Sequence, residues 1–171
     1  GGAYRPAEGV DLVADAGANN GVVAGWTLPG EWMEYTVNVP TAGVFTAATR
    51  VAGVGAGGAF RLSVNGEDVS GNIAVPNTGA WTTYADVTQR GIPLPVGVST
   101  VRVTMVSAGP SGFAGAFDSM TFEPTVQEAY PAGNPWTLPG RVQFEDADLG
   151  GPTLSYVDDT AANLGGAYRT D

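Results

Sequence analysis

Apolar residues in this chain recur at every second position in short runs, and glycine or proline cuts each run off. The cleanest run is residues 31–39, EWMEYTVNV, where Met33, Tyr35, Val37 and Val39 share one face and Trp32, Glu34, Thr36 and Asn38 the other. Successive side chains of a strand point to opposite faces, so this pattern predicts a strand with one face buried. The same period continues in residues 44–51 (Phe45, Ala47, Thr49, Val51), 59–64 (Phe60, Leu62, Val64) and 100–106 (Val101, Val103, Met105). Further strands are expected over 72–74, 82–87 and 116–122. Residues 40–43 read as a turn, and Asn65-Gly66 is a strong hairpin signal. No segment sustains a helical period. With 26 glycines and 12 prolines spacing the runs, the chain is expected to be all-β, a two-sheet antiparallel β-sandwich of jelly-roll type.

The opening pentapeptide, Gly1-Gly2-Ala3-Tyr4-Arg5, returns unchanged as Gly165-Gly166-Ala167-Tyr168-Arg169. The stretch before the second copy, 142–164, has no counterpart before the first. The chain is therefore expected to start and stop partway through one structural unit. On this reading residues 1–123 are a sandwich body lacking its first strand, and 124–140, with four prolines, are a linker. Residues 141–171 are then the opening strand and loop of a unit. Within them, 141–146 (RVQFED) alternate as an edge strand, with Val142 and Phe144 opposite Gln143 and Glu145. Such a strand must add to a sheet. It completes its own body or that of a neighbouring chain, unless the chain is a window onto a tandem array. Trp136, in the linker, is read as packing on a domain surface.

Composition removes several functions. Seven basic residues, all Arg, face 17 acidic ones, for a formal net charge of −10. A nucleic-acid binder needs the opposite sign, and anionic membranes are disfavoured equally. No apolar stretch is long enough to span a bilayer. Acidity instead suits divalent cations, neutral polymers or solubility in salt. The chain has no Cys, His or Lys. That leaves no disulfide, no thiolate or imidazole chemistry, no Schiff base and no intact P-loop. A chain so equipped is expected not to be an enzyme.

The strings GGAYRPAEGVDL, GWTLPGEWMEYTVNVPTAG, NTGAWTTY and GAFDSMTF resemble carbohydrate-binding module family 6, and the tail VQFEDADLGGPTLSYVDDTAANLGGAYR resembles the opening of a module of that family. Joined as 142–164 then 1–123, the sequence reads as one complete module. The resemblance implies a secreted, non-catalytic β-sandwich that holds a polysaccharide, or its chain end, between aromatic side chains on the loops at one end. The matching aromatics are Trp26 and Trp81. A pyranose has an apolar C–H face that stacks on an indole, with hydroxyls that need polar partners around it. Both tryptophans lie beside turn residues, not in a strand's apolar phase. Ala116 and Val23 stand where the family commonly has asparagines that bond the sugar, and Asn20 is the expected substitute. Trp32 matches a second binding face found in a few members.

The resemblance also implies a structural calcium ion, with Gln143, Glu145 and Asp118 at the ligand positions. Backbone carbonyls would complete the six to eight oxygens that calcium takes. A weaker second cation site is expected among Asp11, Asp158 and Asn163. Two other readings stand beside the sugar-binding one. In the first, the sandwich is a structural subunit of an extracellular filament or array, self-associating head to tail through residues 141–171. In the second, Glu31 and Glu34 act as a glycosidase pair; three positions apart on a strand, they share a face poorly.

Overall fold

The computed structural model describes residues 7–56, 58–130, 133–150 and 155–156. The chain divides into two compact units, Gly1–Thr125 and Val126–Asp171.

Among the described residues the first unit holds ten strands: β1 Leu12–Ala14, β2 Val22–Ala24, β3 Trp32–Val39, β4 Gly43–Ala52, β5 Ala59–Val64, β6 Glu67–Asp68, β7 Ile73–Ala74, β8 Ala85–Leu94, β9 Gly97–Ser107 and β10 Ala116–Pro124. They form two antiparallel sheets, as the alternation predicted. One runs β1-β2-β10-β4-β8, the other β3-β9-β5-β6, with β7 also paired to β5. The expected inward residues meet between them. Ala47 and Val51 of β4 face Phe60 and Leu62 of β5 and Val101, Val103 and Met105 of β9, all essentially without solvent contact. The rings of Phe60 and Phe117 meet edge to face with centroids 5.3 Å apart. That contact ties the second sheet to the last strand of the first.

Local chemistry explains the turns. Asn65 and Gly66 have φ of 50° and 93°, the left-handed pair that a two-residue β-hairpin requires, and they join β5 to β6. Gly53 has to be glycine for a different reason: a Cβ there would sit 2.7 Å from the Pro76 carbonyl oxygen.

The strand expected over 82–87 instead begins at Ala85 and runs on to Leu94. Thr83 N–H donates to the Ala80 carbonyl at 3.2 Å, so residues 81–82 are a turn. Gly91 and Pro93, which look like strand breakers, are accommodated because β8 is a sheet edge with a register shift opposite Phe45 and Ala47. An edge is where a residue without an N–H is tolerated. β1 and β2, three residues each, are too short to show alternation.

In the second unit, Glu128 and Leu149 form an isolated antiparallel bridge. The edge strand expected over 141–146 is not a strand here. Phe144–Asp146 is a 3-10 turn, closed by Asp146 N–H donating to the Gln143 carbonyl at 3.2 Å. The turn satisfies one backbone N–H locally, which alternation along the sequence does not reveal. The second GGAYR copy, Asp158 and Asn163 lie outside the described residues.

Candidate functional site

Three loops of the first unit converge on one cleft. The β2–β3 loop brings Gly25 and Trp26, the β7–β8 loop Trp81 and Thr82, and the β9–β10 loop Phe113, while β1 and β2 contribute Val13, Ala14 and Val23. Asp15 and Ala116 complete the lining of a cavity of about 260 Å³. The two tryptophans singled out from sequence therefore share one cleft. Trp26 is 52% exposed and Trp81 38%, an unusual cost for two indoles unless something covers them. Phe113, which sequence reading missed, meets Trp81 edge to face at 6.2 Å and props its ring.

Backbone geometry turns Trp26 outward. Its φ is 51°, in the left-handed region that bulky residues avoid. Gly25 N–H bonds the Asp11 carbonyl at 2.9 Å on one side. On the other, Thr27 is buried and tied across the fold: its hydroxyl donates to the Gly115 carbonyl at 2.6 Å and accepts from Gly115 N–H at 3.2 Å, and its own carbonyl accepts from Ala114 N–H at 2.8 Å. These bonds join the Trp26 loop to the segment that carries Phe113 and Ala116. Thr27→Val keeps the shape but removes the hydroxyl, leaving two buried backbone groups unpaired. It is expected to cost about 1–3 kcal/mol in urea unfolding, and to weaken ligand binding by loosening Trp26. The Trp81 loop is held separately: Gly53 N–H donates to Thr78 Oγ1 at 3.0 Å and Thr78 N–H to the Gly53 carbonyl at 2.8 Å.

Asp15 is the charged group in the cleft lining. One oxygen accepts from the Tyr84 hydroxyl at 2.6 Å, the other from Gly17 N–H at 2.8 Å. The Tyr84 hydrogen bond, then the Gly17 one, hold its carboxyl below the usual range, so it is an anion at neutral pH. Burial first, then the Asp15 bond, pushes the Tyr84 phenol well above its usual value.

The other expected residues lie elsewhere. Asn20 does not line the tryptophan cleft. Its Oδ1 accepts from Val22 N–H at 3.3 Å, and it borders a groove with Trp32, Tyr35 and Asp118. Trp32, on the outer side of β3, is 54% exposed, with the Arg102 guanidinium 4.1 Å above its ring. Arg102 also pairs with Glu34 at 2.7 Å, and Glu31 accepts from Leu28 N–H at 2.8 Å. Each carboxylate of the glycosidase reading is thus engaged in its own structural contact.

Asp118 has a nearly inaccessible carboxylate whose partners are all protein. Arg50 Nε donates to it at 2.8 Å, and Asn19 N–H bridges its two oxygens at 3.1 and 3.0 Å. The Arg50 guanidinium also lies 4.8 Å from the Tyr84 ring centroid. The Arg50 guanidinium and the Asn19 N–H thus share the carboxylate that the resemblance assigns to calcium. Gln143 and Glu145 are exposed and bond each other at 3.4 Å. Among the described residues no group of three or more Asp or Glu is placed to hold a metal. Thermal unfolding with and without a chelator tests the calcium that the resemblance implies. A clear drop on chelation would mean that calcium displaces Arg50, since a bound ion stabilises by mass action.

A model of the family described as "Carbohydrate binding module (family 6)" matches residues 2–124, well over half of the chain. The chain belongs to carbohydrate-binding module family 6. No curated protein matches it. Solved structures agree on the fold of the module. A family 35 carbohydrate-binding module from Clostridium thermocellum is 24% identical with a TM-score of 0.60, over 67% of this chain and 88% of that one. The C-terminal family 6 module of LamC, a laminarinase of the marine Zobellia galactanivorans, is 26% identical at 0.57, over 67% and 88%. A module of Cellvibrio mixtus lichenase 5A, solved in complex with cellotriose, is 22% identical at 0.59, over 70% and 89%. The matched span contains both cleft tryptophans and stops at the end of β10.

Proposed function

We propose that this module binds a neutral polysaccharide, or its chain end, in the cleft between Trp26 and Trp81, without chemistry of its own. The observation that carries this reading is the pairing of two half-exposed indoles, from loops far apart in sequence, around one cavity. A pyranose ring stacked there would cover both, and its hydroxyls would find Asp15 and Thr82 at the margin. Apolar walls with few polar groups are what small-ligand sites present. The anionic Asp15 and the net charge of −10 repel acidic sugars and leave neutral ones. Calculated on chemistry alone, Ala116 in the lining offers no hydrogen bond, so binding rests on stacking and is expected to be broad in selectivity. The neighbouring lichenase module in complex with cellotriose supports β-linked glucose chains as the first class to try. Such a ligand is met outside the cell, which is where we propose that the module works.

The test is affinity electrophoresis through gels containing β-glucan, xylan or agarose. Retardation in at least one neutral polysaccharide is expected, and mobility unchanged in all of them would remove this reading.

A further inference from the structure

The tryptophan cleft has apolar walls, and among its lining residues Asp15 alone carries a charge. The turn that bears Asp15 is built to hold it still. Asp15 N–H donates to the Gly21 carbonyl at 3.0 Å, and the Asp15 carbonyl accepts from Ala18 N–H at 3.1 Å. Arg50, itself anchored on Asp118, donates from Nη2 to the Gly17 carbonyl at 3.1 Å. Gly17 has little room for a side chain: a Cβ there would lie 3.2 Å from the Thr82 carbonyl oxygen and 3.3 Å from Asp15 Oδ1. The β1–β2 turn is therefore seated on the β7–β8 loop where that loop lines the cleft.

How the carboxylate is held decides what it can still accept. An ionised carboxylate has two oxygens and about four lone-pair positions. The Tyr84 hydroxyl takes one of them on Oδ2, and Gly17 N–H takes one on Oδ1. Each oxygen thus keeps a position, and the half-buried group offers two acceptors side by side in a fixed orientation. Two adjacent acceptors beside an indole wall match two donors on neighbouring atoms. Neighbouring hydroxyls of a pyranose are such a pair, because the ring stacks by its apolar face while the hydroxyls reach the rim.

We propose that Asp15 selects the ligand in this cleft by accepting from two adjacent, unsubstituted hydroxyls of the bound ring. The inference rests on the assignment of the cleft to a polysaccharide and narrows it. The class it names is a neutral chain whose bound ring carries free hydroxyls on two neighbouring carbons. Rings O-methylated or O-acetylated at those carbons lack the donors and are refused. Stacking on Trp26 and Trp81 does not read this difference, and Ala116 has no polar side-chain atom to read it. The identity of the neutral sugar is read loosely; the freedom of its hydroxyls is read by Asp15.

Isothermal titration of the full chain tests this with two probes. One is the neutral polysaccharide that retains the native chain, from β-glucan, xylan and agarose. The other is the same polymer after O-methylation, which leaves it neutral but removes hydroxyl donors. The native chain is expected to bind the methylated polymer at least about tenfold more weakly, the worth of a charge-assisted hydrogen bond. Asp15→Ala is expected to bind the unmodified polymer about tenfold more weakly than the native chain and to lose the distinction between the probes. Tyr84→Phe breaks the same tie to the turn but keeps the carboxylate and its Gly17 anchor. It is expected to lose less affinity and to keep the distinction. Melting curves check that each variant folds, and Asp15→Asn, which preserves the shape of the side chain, takes the place of Asp15→Ala should that one unfold. Equal native affinity for both probes overturns the inference. So does an Asp15 variant that keeps the native preference. A Tyr84→Phe that matches the Asp15 variant on both probes overturns it too, because Asp15 would then serve only the turn. All three results leave the cleft assignment standing, whereas a native chain that no neutral polysaccharide retains removes both.

Discussion

Trp26→Ala and Trp81→Ala are each expected to weaken polysaccharide binding by about thirtyfold, and together to abolish it. Trp26 is 52% exposed and Trp81 38%, and both line one cavity; covering a large side chain is worth about 2 kcal/mol. That figure converts to roughly thirtyfold in Kd, because 1.4 kcal/mol is tenfold. The two need not be equal. Trp81 rests on Phe113, so its removal also frees a neighbour, whereas Trp26 stands on a loop pinned through Thr27. Removing Trp26 also relieves an unfavourable left-handed backbone for a bulky residue. Trp26→Gly is therefore expected to weaken binding as Trp26→Ala does while folding as stably as the native chain. Isothermal titration with the retained polysaccharide reads the affinities, and Trp136→Ala, outside the cleft lining, is the control expected to change nothing. Retention that survives the double substitution would move the site elsewhere on the molecule.

What the sequence revealed, and what it hid, divides along a physical line. Strand phase is local, so β3, β4, β5 and β9 and their buried faces could be read from alternation alone. Trp26 and Trp81 were legible because each broke that phase beside turn residues. Loop convergence is not local. Phe113 and Asp15 enter the cleft only because β10 pairs with β2, which brings the β9–β10 connection beside the β1–β2 turn, and nothing near either residue announces it. Asn20 shows the same limit from the other side. Val22 N–H claims its side chain, so proximity in sequence to a binding loop did not place it in the cleft.

Asp118 shows how register decides chemistry. Alternation placed it on β10 but could not say who stands across the ladder. β4 is paired so that Arg50 lies opposite Ser119, next to Asp118, and its guanidinium pairs with that carboxylate. The segment 141–146 is a third case. Its alternation is real, but a strand is a property of two partners, and alternation reports on only one of them. The pattern without the pairing yields a turn.

Phe60→Ala is expected to be the most damaging single change to the body while leaving the cleft intact. Phe60 has no solvent exposure, is among the largest fully buried side chains, and meets Phe117 across the two sheets. Truncation removes its transfer energy and leaves a cavity that two closely packed sheets cannot collapse, at a cost of about 3–5 kcal/mol. Domains are stable by only about 5–15 kcal/mol, so this could consume most of the margin and lower the melting temperature by roughly 10–20 °C. Phe60→Leu, which keeps more of the volume, should lose distinctly less. The contrast with the tryptophan variants is the point of the experiment. Phe117 and Ala116 are adjacent on β10, yet Phe117 faces the core and Ala116 the cleft. A strand that stays folded therefore presents the same cleft whatever fills the core behind it. Below its melting temperature Phe60→Ala should bind polysaccharide with native affinity, whereas Trp26→Gly should be stable but bind weakly. If Phe60→Ala instead lost affinity in its folded state, core and cleft would share one mechanical unit, and the separation drawn between them would fail.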